Sequence, residues 1–149
     1  MNVKQKLYQC CEDSLNRRLD VVKQTITDIQ NNLQSETKSS AGDKHETGRA
    51  MLQLEREKAG QQLAEIQKQF ELLNKINPEK SHNLIALGSV VYTSQYNYFI
   101  SVSEGEIRLD DNIYFAISPI TPIGKLLISK QKGDTIQFRN QSIVILKII

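Results

Sequence analysis

The sequence predicts an α+β protein: an antiparallel coiled-coil helical hairpin over residues 1–77, followed by a small β-rich domain over residues 78–149. Three observations predict it. All three prolines, Pro78, Pro119 and Pro122, lie beyond residue 77, so none interrupts a helix before that point. Of the five tyrosines and four phenylalanines, only Tyr8 and Phe70 precede Lys80, and the later part is rich in the aromatic and β-branched residues that suit a pleated surface. The earlier part is rich in Gln, Glu, Lys and Leu, which lose little rotamer freedom in a helix. Its apolar residues also recur at helical spacing.

The first helix is marked by Leu7, Cys11, Leu15, Leu19, Val22, Ile26, Ile29 and Leu33. Steps of three and four put all of them on one stripe. The second is marked by Leu52, Ala59, Leu63, Ile66, Phe70 and Leu73. Arg56 falls where the next knob belongs, and its aliphatic stem can cover that position. Both stripes are narrow, as in a coiled-coil seam. Between them, residues 37–42 (Thr-Lys-Ser-Ser-Ala-Gly) are small and polar and break the pattern. A short connection makes the two helices antiparallel neighbours. Arms of about 30 residues give a rod about 45 Å long at the helical rise, a shape suited to reaching rather than to enclosing.

The β-rich part reads as short strands. Residues 88–93 and 98–102 are the first two, with turns at 94–97 and at Glu104-Gly105, and residues 112–117 are the third. Ser118-Pro119 breaks the sheet. Thr121-Pro122 then opens a short helix, with Thr121 as cap and proline at the first helical position. That helix runs to about Ser129 and turns Ile123, Leu126 and Leu127 towards the sheet. Lys132-Gly133-Asp134 leads into two final strands, 135–139 and 142–149, joined by a tight Asn140-Gln141 turn.

Charge and cysteine usage exclude several function classes. The formal net charge is +2, spread evenly over both parts, without the clustered basic excess of a protein that grips free duplex nucleic acid. There is no apolar core of signal-peptide length at the start and no run of about 18 apolar residues anywhere. The two cysteines, Cys10 and Cys11, are adjacent, so they make neither a disulfide framework nor a metal knuckle. Reduced thiols on a helix are expected, and a cytoplasmic protein.

The candidate site is the hairpin tip, Gly42-Asp43-Lys44-His45-Glu46. Two readings apply to it. Asp43 as N-cap, with Glu46 reaching back three residues later, is a capping box at the positive end of a helix dipole. Two exposed carboxylates at i and i+3 can also present oxygens to a hard cation. The readings are compatible, because a capping carboxylate retains free lone pairs. His45 is read as a solvent-facing residue at the tip, and His82 as part of the interdomain linker. Arg17, Arg18 and Lys23 are a candidate basic face, with solvated charges as the simpler reading.

At these residues the chain resembles the Gre family of bacterial transcript-cleavage factors, whose hairpin tip has the form G-D-x-x-E-N-A-E-Y. Gly42, Asp43 and Glu46 match it, whereas Thr47, Gly48, Arg49 and Ala50 depart from it and the third acidic residue is missing. The second half is also similar to the family. Gly88-Ser89-Val90-Val91, then Ser118-Pro119 through Gly124-Lys125 and Leu127, then Lys132-Gly133-Asp134 follow its S-P…G-x-x-L-L-G-K…G-D order. Ile128-Ser129-Lys130 stands where the family has glycine before lysine.

The resemblance implies an FKBP-like second domain that docks on RNA polymerase. It implies a hairpin inserted through the secondary channel, with Asp43 and Glu46 supplying oxygens to a Mg²⁺ shared with the polymerase at the 3′ end of backtracked RNA. On that reading the chain is an accessory to the polymerase's own endonuclease rather than an enzyme. The altered residues 47–50 leave open a regulatory binder of polymerase without cleavage, and the exposed seam leaves open a coiled-coil adaptor for another protein. No nucleophile motif, zinc motif or phosphate-cradling loop accompanies the β-rich part, which argues against a catalytic role for that domain, prolyl isomerisation included.

Overall fold

The computed structural model describes the backbone of residues 1–38 and 42–149 and the side chains of 1–35 and 47–149. Two long helices, α1 (Val3–Lys38) and α2 (Gly42–Asn74), pack as a hairpin and are followed by six strands and one short helix. The strands are β1 (Val90–Thr93), β2 (Asn97–Ile100), β3 (Gly105–Leu109), β4 (Asn112–Ile117), β5 (Thr135–Phe138) and β6 (Gln141–Ile148), with α3 (Pro122–Leu127) after β4. The class is α+β. No helix among the described residues is long and apolar enough to cross a membrane.

By its contacts the chain forms two compact units, one of Leu15–Lys68 and one of Met1–Ser14 with Gln69–Ile149. In the first, the expected stripes are the buried seam. Leu15, Val22 and Ile29 from α1 and Ala59 and Ile66 from α2 are buried, and Leu19, Ile26, Leu33, Leu52 and Leu63 are half-buried. Arg56 is half-buried at its place in the stripe. One cleft gathers residues near 17–22 with 62–66, and another gathers Thr25 and Ile29 with Glu55 and Ala59. Rising numbers on one helix meet falling numbers on the other, so the helices are antiparallel.

In the second unit the sheet order is β3-β4-β2-β1-β6-β5. Every pairing is antiparallel except β2 with β4, which is parallel. The period-two alternation of strands sorts the side chains into two faces. Val91, Tyr98, Ile100, Ile143 and Ile145 join Ile123 and Leu127 of α3 in one core. Val90, Phe99 and Ala116 occupy alternate positions and are buried as well, as are Leu7, Cys11, Leu73 and Ile76 from the helix ends of this unit. Polar contacts fasten those ends. Lys4 Nζ donates to the Lys80 carbonyl at 2.6 Å, Ser14 Oγ to Glu104 Oε2 at 2.6 Å, and the Ser103 amide to Gln69 Oε1 at 3.3 Å.

Four details differ from the expectation. Residues 105–109 are a strand, β3, where only a turn was expected after Glu104. Ile107 and Leu109 alternate with Glu106 and Arg108, and Asp110 and Asp111 (φ 50 and 64°) make the two-residue turn into β4. The last hairpin turns at Arg139-Asn140 (φ 50 and 63°), one residue earlier than expected, because Phe138 pairs with Gln141. Helix α3 stops at Leu127, since the backbone beyond it is drawn into hydrogen bonds between Ile85 and residues 129 and 130. Finally, Leu126 faces outward and is 37% exposed, while Ile123 and Leu127 are buried.

This last difference sets a test. Leu127→Ala removes a fully buried side chain and is expected to cost about 2–5 kcal/mol. Leu126→Ala is expected to stay within about 0.5 kcal/mol of the parent. Urea melts of the two variants check both.

Candidate docking site

The segment 118–124 is built to hold a fixed shape. Pro119 and Pro122 each fix one backbone angle. Thr121 caps α3, its Oγ1 accepting the Gly124 amide at 3.1 Å while donating to the Ser118 carbonyl at 2.7 Å. The Thr121 amide also reaches the Ser118 carbonyl at 3.2 Å, and Ser118 Oγ accepts the Ile120 amide at 3.3 Å. Gly124 closes the arrangement. A Cβ there would run into the Ser118 carbonyl oxygen and come within 2.8 Å of Thr121 Oγ1. At the apex, Ile120 is 77% exposed. Ile120 is thus a large apolar side chain held in water on a rigid loop.

In the same unit, Tyr96, Tyr98, Phe115, Phe138, Ile123 and Arg139 line an open cleft of about 400 Å³. The rings interlock edge to face: Tyr96 to Phe115 at 5.3 Å and 79°, and Tyr96 to Tyr98 at 6.4 Å and 78°. The Arg139 guanidinium lies 5.0 Å from the centre of the Phe138 ring, a cation–π contact that leaves a positive group beside an apolar surface. Burial first, and the neighbouring Tyr96 second, push the Tyr98 phenol up from its ordinary range. The cleft lining contains no carboxylate, thiol or imidazole.

The tip residues named from the sequence, Asp43, His45 and Glu46, lie outside the described side chains. The backbone places 43 and 46 in the opening turns of α2, which begins at Gly42. Among the described residues no three His, Cys, Asp or Glu side chains cluster as a metal site. Arg17 and Arg18 share a cleft of about 420 Å³ with Val21, Gln62, Glu65 and Ile66, and Lys23 is not among the residues lining it.

Cys11 is buried with its Sγ 3.9 Å from Ser101 Oγ. Burial pushes its thiol up to about 12, so it is poorly suited to act as a nucleophile. In the linker, His82 Nδ1 lies 2.9 Å from Ser89 Oγ. Neither that pair nor the aromatic cleft was visible in the sequence. The cleft's members come from separate strands and loops, and no periodic spacing announces the contact of His82 with Ser89 within one connecting segment.

No protein-family model matches the chain, and no curated protein does. Among solved structures it is similar to the transcription factor Gfh1, with 18% identical residues over 95% of this chain and 92% of that one and a TM-score of 0.35.

The close approach at Gly124 predicts that Gly124→Ala destabilises the protein by about 1–3 kcal/mol through overpacking. Thermal melting of the variant is the check, and an unchanged Tm would remove Gly124 from the account of the loop.

Proposed function

We propose that this protein binds bacterial RNA polymerase, docks through its β-rich unit and presents its helical hairpin to the polymerase's secondary channel. The observation that carries the reading is where the sequence resemblance falls. Its longest stretch, residues 118–127, coincides with the pinned loop that exposes Ile120 and with the wall of the aromatic cleft. The matched residues Ser118, Gly124 and Leu127 are buried and hold that loop in shape, while Ile120 at its apex is exposed. Interface hot spots are typically apolar or aromatic anchors surrounded by rigid structure, and Ile120 with Tyr96, which is 54% exposed, answers that description.

In this reading Asp43 and Glu46 carry the chemistry. Two carboxylates three residues apart on a helix fit a hard, oxygen-seeking cation and not a thiophilic one. They would fill only part of a Mg²⁺ shell of about six oxygens, so polymerase carboxylates would supply others. Bound there, the ion would stabilise charge on a phosphodiester under attack by water. The residues' own tasks are to orient that water and to hold their charge at the end of the hairpin. A second reading, a polymerase binder that modulates without cleavage, is favoured by one observation: Thr47-Gly48-Arg49-Ala50 replaces the family's Asn-Ala-Glu-Tyr.

Asp43→Asn separates capping from catalysis, because asparagine caps about as well as aspartate. Its Tm is expected to match the parent while stimulated RNA cleavage in halted complexes with added Mg²⁺ falls at least about tenfold, or ~1.4 kcal/mol of barrier. Wild-type protein that gives no cleavage yet competes with an active factor for polymerase selects the second reading. Ile120→Asp is expected to leave stability within about 0.5 kcal/mol and to weaken polymerase binding by roughly thirtyfold or more, the size of a lost hot spot. Undiminished binding by that variant would remove the loop from the docking surface, and absence of binding by the wild type would end both readings.

A further inference from the structure

Residues 80–89 connect the helices to β1; backbone bonds tie Ile85 to residues 129 and 130 and tie Gly88 and Ser89 to Ile100, and side-chain contacts involving Lys4, His82 and Ser89 add to that hold. At one end Lys4 Nζ, on a residue only 4% exposed, sits on the Lys80 carbonyl at 2.6 Å. Further along, Ser89 Oγ and His82 Nδ1 are 2.9 Å apart. Ser89 is fully buried. Its Oγ already accepts the Ala86 amide at 2.9 Å, and its own amide donates to the Ala86 carbonyl at 3.0 Å. The ring sits where Gly88 (φ 94°) leaves room, since a Cβ there would lie 3.6 Å from His82 Cε1 and 3.0 Å from Ile76 Cγ2.

We propose that the Ser89–His82 hydrogen bond is an acid-sensitive latch on this segment, closed while the imidazole is neutral and released when it takes a proton. The argument is one of hydrogen counting. A neutral ring accepts at Nδ1, so the single hydroxyl proton of Ser89 has a partner, and among the described residues no buried side-chain polar atom is left unpaired. The network therefore assigns the proton of neutral His82 to Nε2. An imidazolium donates from both nitrogens. Ser89 Oγ would then accept from Ala86 and from the ring, and its own proton would be left without an acceptor in a buried position. The segment must either bear that orphan or let the ring swing out.

The charges around the ring act in the same direction. Lys4 approaches from α1 and Lys80 from the segment itself, while Ile76 approaches from the end of α2 and is apolar. Burial first, then the two ammonium groups, hold the imidazole below its ordinary 6.5. Because the folded state resists the proton, the latch contributes its full stability above the unfolded value of 6.5. That contribution is lost as the pH falls from 6.5 towards the folded pKa. The inference is independent of the proposed polymerase docking, since it concerns only the hold on residues 80–89.

The test is an NMR titration of the full chain between about pH 7.5 and pH 5, following the His82 ring protons and the exchange of the Ala86 amide after correction for intrinsic pH dependence. His82 is expected to titrate below 6.5. Ala86 exchange is expected to rise on acidification by about tenfold for each pKa unit of displacement, with the Val91 amide in the sheet as an unresponsive reference. In His82→Gln the amide oxygen can accept the Ser89 hydroxyl without titrating, so the Ala86 response should vanish. A native His82 that titrates at or above the ordinary value overturns the proposal, as does an acid response of Ala86 that persists in His82→Gln. Should that variant fail to fold, the wild-type His82 titration decides alone.

Discussion

An apolar stripe one side chain wide cannot be buried by the helix that carries it, and the architecture follows from that constraint. On α1 the stripe runs without a break from Leu7 to Leu33, longer than any one partner covers. Leu15, Val22 and Ile29 are buried in the helical unit, whereas Leu7 and Cys11 are buried in the unit that contains the sheet. One helix thus supplies core residues to both compact units. Helices of this length gain most of their stability from such packing rather than from intrinsic propensity. The polar contacts near Lys4, Ser14 and Gln69 are then secondary fastenings, fixing the geometry of a junction whose driving force is apolar burial.

The β-rich unit meets a different demand. Its sheet is covered on one face by the core that includes α3, and its other face has buried residues too, so strands such as β2, with Tyr98, Phe99 and Ile100 all buried, are apolar on both sides. Several large apolar side chains of this unit nonetheless stay exposed, among them Leu84, Tyr96, Ile120 and Leu146. Of these, Ile120 sits on the pinned loop and Tyr96 in the aromatic cleft, whose lining contains no carboxylate, thiol or imidazole. The division of labour in the proposed function follows from this contrast: one unit has surface for recognition, while the only paired carboxylates singled out by the sequence are in the helical hairpin.

Much of this was legible beforehand, and the reasons differ by element. The helix stripes were readable because a 3.6-residue period repeated over many turns is a strong signal. Strand β3 was missed because Gly105 reads as a turn, although the alternation of Ile107 and Leu109 and the paired aspartates after them mark a hairpin. The shift of the last turn by one residue arose from favouring Asn140-Gln141, when the left-handed pair is Arg139-Asn140 and Gln141 is already in the ladder. Leu126 was misassigned because a helix of six residues is too short for periodicity to discriminate its faces. The parallel pairing of β2 with β4, which brings Tyr98 beside Phe115, depends on β3 folding back along the outer side of β4, and no local pattern encodes that. The aromatic cleft was unreadable for the same reason, whereas the Ser89–His82 contact is local but lies in an irregular segment that has no periodic signature. The tip carboxylates Asp43 and Glu46 rest on motif alone, since their side chains lie outside the described residues.

The two margins of the sheet carry a consequence of their own. Strands β3 and β5, with five and four residues, are the outermost members, and their outward backbone groups have no neighbour within the sheet. Such margins invite stacking between molecules when they are long, flat and greasy. Here one carries Glu106 and Arg108 and ends in a tight diaspartate corner, and the other alternates Thr135 and Gln137 with its buried residues. Brevity and polarity at both borders disfavour edge-to-edge pairing between copies of the chain.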